Sequence, residues 1–331
     1  MDLTTQIASV FSDFTNPAKR VYAEYLAMSA VIALHWLLLV RKTSFRTALA
    51  KVFDRGVFFS NSSVADYKIF VINRLFTFLV SPMLLSQVAI GTAIFYFLHG
   101  LEFLRSGVFS SASQWVVVTL FTGTLFVVDD LSKYLLHRWM HRIPSLWAFH
   151  KVHHSATTLT PVTVYRVHPL EGVLYTLRGT LAQGSVIPVF YFLFGSAVSL
   201  YTVVGVNILV FIFHVTGSNL RHSHISIRYW PWLEHVLISP AQHQLHHSIA
   251  ARHFDKNFGA ALAVWDWLFN SLHLSEDEAL EFGLDASERS SPSSLRVLYF
   301  GPFADMARSV RRRGRKDEAA RAAGSPVAGA P

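Results

Sequence analysis

The chain has no cysteine. Disulfides and thiolate metal ligation are therefore both excluded, and any bound metal must be held by nitrogen and oxygen. Charge is also scarce. Of 331 residues, 15% are charged against 52% hydrophobic, with a mean hydropathy of +0.35, a balance that argues against two soluble domains and for a polytopic membrane protein. The first twenty residues carry Asp2 and Asp13 and lack an apolar core ahead of a small-residue cleavage site. No cleavable signal is expected, so insertion would rely on the first helix. There is no Gly-rich dinucleotide fingerprint, no haem or flavin motif and no internal repeat of fixed period. Any redox chemistry here would draw its electrons from another protein.

What the chain does have is apolar length. About 20 apolar residues cross the hydrocarbon slab, and stretches of that kind run near Val21 to Val40, Leu75 to Leu98, Trp115 to Leu136 and Gly184 to Phe213. Pro188, Gly195 and Gly205 interrupt the fourth, which reads as a helical hairpin returning to its own side.

The net charge of +8 does not indicate nucleic acid, because the basic residues are spread over membrane-flanking loops and a tail. Between residues 41 and 74, Arg41, Lys42, Arg46, Lys51, Arg55, Lys68 and Arg74 face only Asp54 and Asp66, which marks the segment as cytoplasmic. Alternation then puts the end of the third block, at His137, on the cytoplasmic side.

The expected fold is an all-α polytopic membrane bundle with a cytoplasmic, histidine-rich metal-binding cap. Residues 1–136 form its transmembrane region. Residues 137–300 form a histidine-box region that includes a membrane hairpin at about 184–213, and residues 301–331 form a basic, disordered tail beside anionic lipid.

The histidines fall in three clusters. His137 and His141 sit four apart, on one helix face. "HKVHH" supplies His150, His153 and His154, and "HQLHH" supplies His243, His246 and His247. Eight titratable rings beside a membrane cost desolvation and mutual repulsion when protonated, and neutral imidazoles donating to a cation remove both costs. Eight nitrogens exceed what one ion takes, so two metals are inferred, and ligand counting leaves iron and zinc both open. Asp130, Tyr134, His137 and His141 share a helix face. Asp130 is therefore a candidate acceptor fixing an imidazole's tautomer.

The motifs "HRWMH", "HKVHH" and "HQLHH", with "RVHPLE", "SPAQHQLHHS" and "DKNFGAALAVWDWLF", resemble the histidine boxes and flanking segments of the fatty acid hydroxylase and sterol desaturase superfamily. The resemblance covers about half the chain, from Asp129 to Phe269. It implies an integral-membrane enzyme with a non-haem di-iron centre, which hydroxylates or desaturates a C–H bond in a lipid, sterol or isoprenoid. Dioxygen would be the co-substrate, and a separate reductase, ferredoxin or cytochrome would supply electrons. Histidines between the second and third boxes are implied as further ligands. His222 and His224 rank ahead of His214, which could equally be a helix-end residue.

His168, in "RVHPLE", is either a ligand or neighbour of the metals or a turn residue before Pro169. Arg166 is a candidate for orienting a ligand or a substrate head group. Asp255 and Asn257 match a D-x-N-aromatic-Gly run of the family; they would lie around the metals or cap the next helix, and capping is favoured. His35, His235, His253 and His273 are assigned structural places.

Two other functions use the same residues. A dizinc hydrolase or lyase would generate hydroxide between the imidazoles. A divalent-metal transporter would place its ligands at mid-membrane depth, whereas these clusters lie just beyond the apolar blocks. The boxes do not name the substrate.

Overall fold

The computed structural model describes residues 12–17, 19–80, 87–198, 208–216, 218–285 and 293–322. Its elements are helical, and among the described residues the only β contacts are two isolated bridges. In chain order the α-helices are α1 (Ala23–His35), α2 (Phe45–Val52), α3 (Asn61–Val80), α4 (Gln87–His99), α5 (Gln114–Arg142), α6 (Pro144–His154), α7 (Pro169–Phe194), α8 (Ile208–Thr216), α9 (Pro240–His246), α10 (Val264–Leu268) and α11 (Leu295–Ala322). A helical turn at Arg55–Phe58, a π-helical turn at Trp36–Val40 and several 3-10 turns complete them.

Among the described residues, three stretches are long and apolar enough to cross a membrane: Ala23–Val40, Gln114–Arg142 and Pro169–Ala197. α5 and α7 pack along each other and α4 packs on α7, around a core of Val117, Phe121, Val186, Phe190 and Phe194. Their other faces leave Trp115, Leu120, Val127, Leu181 and Val189 exposed, as a lipid-facing surface requires. The protein is an integral membrane protein by this architecture.

The expected spans shift in three places. The block from Leu75 to Leu98 falls partly on α3 and partly on α4, with residues 81–86 outside the described residues. The third block is longer than expected. α5 runs on through His137 and His141, and its 29 residues span roughly 43 Å, more than the roughly 30 Å slab. Its last turns, with the first histidine box, therefore project beyond the apolar layer. The hairpin's first arm begins at Pro169 rather than near Gly184, because Pro169 sits at N1 with His168 as the N-cap, starting α7 there. Gly195, at φ +53°, ends that arm, residues 199–207 lie outside the described residues, and α8 returns against α1 and α5.

The tail expected to be disordered from residue 301 continues instead in α11. Phe303 meets Phe149 and His168 edge-on, and Lys151 pairs with Asp305 at 2.5 Å. These contacts dock the helix on α6, and its Ala- and Arg-rich sequence favours helix intrinsically. Residues 323–331 lie outside the described residues.

Candidate metal centre

α5 carries the first box straight out of the membrane-crossing stretch. The chain turns at Ile143 and restarts at Pro144, the N1 residue of α6, which carries the second box. The third box lies on α9, where Ser239 and Gln242 form a reciprocal capping box: the Gln242 amide donates to Ser239 Oγ, and the Ser239 amide to Gln242 Oε1 at 2.9 Å. Every residue of α9 is buried, so its histidines are held in the interior. His222 comes from the 3-10 turn Ser218–His222, which packs on α9.

These elements bring nine histidines together in two groups. His137, His141, His150, His154 and His246 form one, and His153, His222, His243 and His247 the other; within each, one ring nitrogen per residue lies within 4.8 Å of all the rest. The two groups share a wall, with His154 stacked on His247 at 4.5 Å between ring centroids.

Helix geometry explains how each box divides. Successive residues on a helix point about 100° apart, so i+4 and i+3 fall roughly 40° and 60° to opposite sides of i, and the two adjacent histidines of a box diverge by about 100°. His150 and His154 accordingly face the first group and His153 the second; His243 and His247 face the second and His246 the first. The adjacent histidines of each "HH" pair serve different groups.

The surroundings fix which nitrogen faces inward. The Nδ1–H groups of His137 and His246 donate to the carbonyls of Phe258 (2.8 Å) and Lys256 (2.7 Å), and that of His150 to Glu171 Oε1 (2.8 Å). Each of these rings therefore presents Nε2 as a lone pair. In the first group the Nε2 atoms of His141, His150, His154 and His246 are buried without a partner. In the second, His222 Nε2 lies 3.1 Å from His153 Nε2 and 3.0 Å from His243 Nε2. Ligand nitrogens about 2.0–2.1 Å from one ion sit roughly that far apart.

Burial holds His153, His154, His222, His243 and His247 well below the usual imidazole range, with repulsion between neighbouring rings adding to it; it lowers His246 to about 3. The rings are thus neutral at physiological pH and able to donate. Orphaned, buried, neutral nitrogens gathered in this way fit a metal centre.

The remaining sequence candidates sit elsewhere. His224 is outside both groups: its Nε2–H donates to the Lys51 carbonyl at 2.6 Å, because the turn after His222, pinned by Gln244 Nε2 on the Ser223 and Ile225 carbonyls, swings it toward α2. His214 bonds Ser218 Oγ through Nδ1 at 3.0 Å. His168 accepts from the Leu170 amide at Nδ1 and donates from Nε2 to the Tyr299 carbonyl, so it caps α7 and ties it to α11.

Asp130 does not touch an imidazole. It accepts from the Ala261 and Leu262 amides and from Trp265 Nε1, holding the loop that supplies the Phe258 carbonyl. Arg166 is fully buried on Asp66 (2.7 Å), Ser155 Oγ and the Val152 carbonyl, locking α6 to α3. Asn257 does not cap α10, whose N-cap is Ala263. At φ +55° it donates to the Gln242 and His273 carbonyls and accepts from the His273 amide; Asn and Asp tolerate that left-handed backbone well, which suits both Asp255 (φ +58°) and Asn257. Glu171 stands in the sequence only as the last residue of "RVHPLE", with no signal for its partner. A cavity of about 460 Å³ opens onto His137, His150, His153, His222 and His243.

The fatty acid hydroxylase family model matches residues 122–271, from the middle of α5 to just past α10, the region that builds both groups. The chain is 26% identical over 147 residues to an ornithine lipid hydroxylase of Rhizobium tropici, covering 44% of this chain and 40% of that one. It is 26% identical over 172 residues to the human alkylglycerol monooxygenase, covering 52% and 34%. It is 28% identical over 181 residues to a Delta(7)-sterol 5(6)-desaturase of Candida dubliniensis, covering 54% and 41%. In each case the match spans well under half of the relative's own length. No solved structure matches. With the three boxes folded into one buried cluster, residues 122–271 of this chain form a region of the fatty acid hydroxylase family, and the chain is similar to lipid and sterol hydroxylases and desaturases.

Proposed function

We propose that the protein is a membrane oxygenase that hydroxylates or desaturates a C–H bond of a lipid, sterol or isoprenoid. It would use dioxygen and electrons from a separate reductase, ferredoxin or cytochrome. The observation that carries this reading is the pair of adjoining histidine groups opening onto one cavity. In this reading the first group holds one iron ion and the second another, nine nitrogens being too many for a single ion. Such a pair supplies dioxygen reduction and the oxidation of an unactivated C–H bond.

The chain's own residues do the rest. Glu171 and the Phe258 and Lys256 carbonyls fix the inward-facing lone pairs, while Phe76, Phe126 and Phe213 give the cavity an apolar wall that admits a lipid chain and excludes water. The basic segment between Arg41 and Arg74 supports a cytoplasmic position for the site, within reach of a soluble electron donor.

The test combines metal analysis of protein purified anaerobically from iron-replete cells, oxygen uptake with a lipid extract, and lipid profiles of cells with and without the gene. Two irons per chain and a lipid that gains a hydroxyl or a double bond are expected. A centre holding only zinc, with no oxygen uptake, would sink the reading in favour of a hydrolase or lyase.

A further inference from the structure

Arg20 and Arg221 stand out in the cavity beside the histidines. Arg20, just before α1, donates from its terminal nitrogen to the Ser218 carbonyl at 2.5 Å, and its own carbonyl accepts from Asn219 Nδ2. Arg221 is 5% exposed; it donates to the Ala260 carbonyl and lies 5.1 Å from the centroid of the Phe213 ring. The Nε of each is buried without a partner.

The three carboxylates of the same cavity are engaged elsewhere. Asp129 pairs with Lys133 and Arg178, Asp130 takes two amides and an indole N–H, and Glu171 takes His150. Among the described residues, neither guanidinium makes an ion pair, and Asp130 attracts Arg221 only from beyond ion-pair distance. A guanidinium stays protonated at neutral pH, so both side chains carry charge. Burying two neighbouring charges on carbonyl oxygens alone is costly, and the cost is recovered when an anion bridges them.

We propose that Arg20 and Arg221 form an anion subsite, so that the cavity selects an amphiphile bearing a phosphate or carboxylate over a neutral alcohol or sterol. The anionic group sits between the two guanidiniums beside the Ser218–His222 turn, and the apolar part lies along Phe76, Phe126, Val173 and Phe213. This deepens the proposed function by naming a substrate class for the same cavity, and it is tested by binding without turnover, so a failure of the oxygenase reading leaves it standing.

The full chain, purified in a non-ionic detergent, is titrated by calorimetry with octyl phosphate, octanoate, octanol and inorganic phosphate. At least one of the two anionic amphiphiles is expected to bind about tenfold or more tightly than octanol, and inorganic phosphate more weakly than octyl phosphate. The tighter of the two identifies the anion. Arg20→Met, at the more exposed of the two positions, should remove the preference while leaving octanol binding unchanged, and Arg20→Lys should retain most of it. Arg221→Met should act likewise, with a melting curve showing that it folds. Octanol binding as tightly as both anions, inorganic phosphate binding as tightly as octyl phosphate, or a preference that survives in a folded Met variant would each overturn the proposal.

Discussion

Glu171 Oε1 and His150 Nδ1 lie 2.8 Å apart with both side chains 2% exposed, which ties the first turn of α7 to the second histidine box. Hydrogen-bond partners of ligating imidazoles typically contribute about 10–100-fold to metal affinity. Glu171→Ala should therefore weaken metal binding by about that factor. Glu171→Gln, which keeps an acceptor, should weaken it less. Metal titration of the two variants checks the order; equal affinity for wild type and Glu171→Ala would show that His150 needs no such anchor.

The acid limb of stability should follow from the buried rings. His153, His154, His222, His243 and His247 titrate well below the usual range in the folded protein, and His246 at about 3. Unfolded, each returns to about 6.5. Below that value the unfolded chain binds more protons than the folded one, so stability is full above about pH 6.5 and falls as pH drops. Each ring contributes up to about 1.4 kcal/mol per pH unit. Melting temperatures of the metal-free protein should decline from pH 7 to pH 5. A flat profile over that range would mean that the rings are not buried neutral.

How much of the site is legible in the sequence depends on the distance over which a contact acts. The boxes are readable because helical periodicity links residues three and four apart, so spacing alone makes His150, His153 and His154 a cluster. The same rule does not separate His222 from His224, which lie outside an α-helix; a turn set by Gln244 decides that. Asp130 does share the face of His137, yet its partners are the amides of residues 131 and 132 positions away, which no local pattern encodes. For residues 301–322, net polarity suggests disorder, while the helix propensity of alanine and arginine and docking on α6 give a helix.

Gly259 should be intolerant of a side chain. A Cβ there would lie 2.6 Å from the Leu262 carbonyl oxygen and 2.8 Å from both Asp266 Oδ2 and Ile238 Cγ1. The neighbouring Phe258 carbonyl accepts the His137 Nδ1–H, so displacement of this loop reaches the first histidine group. Gly259→Ala is expected to cost about 1–3 kcal/mol and to lower metal content in the first group more than in the second. Wild-type stability and metal content would contradict the packing.

Asp66 and Arg166 form a fully buried ion pair that binds α3 to the segment after α6. Removing one partner leaves an uncompensated charge, at a cost of about 3–5 kcal/mol. Asp66→Leu and Arg166→Met should each reduce the yield of folded protein, whereas the double variant, which buries no charge, should recover most of it. Recovery measured by size-exclusion chromatography distinguishes a structural pair from an Arg166 that also serves the substrate. In the latter case the double variant folds but loses activity.

The sharpest test of the ligand assignment uses residues two apart. His222 stands with His153 and His243, its Nε2 about 3 Å from each of theirs, while His224 donates to the Lys51 carbonyl. His222→Ala should remove metal from the second group and abolish activity, with membrane insertion intact. His224→Ala should leave the metal content unchanged and cost about 1 kcal/mol of stability through its lost hydrogen bond. His246→Ala and His153→Ala should also abolish activity, the former by emptying the first group and the latter the second. If His224→Ala emptied a site as completely as His222→Ala, the two groups would be drawn wrongly, and the turn at Ser223 would have to open when metal binds.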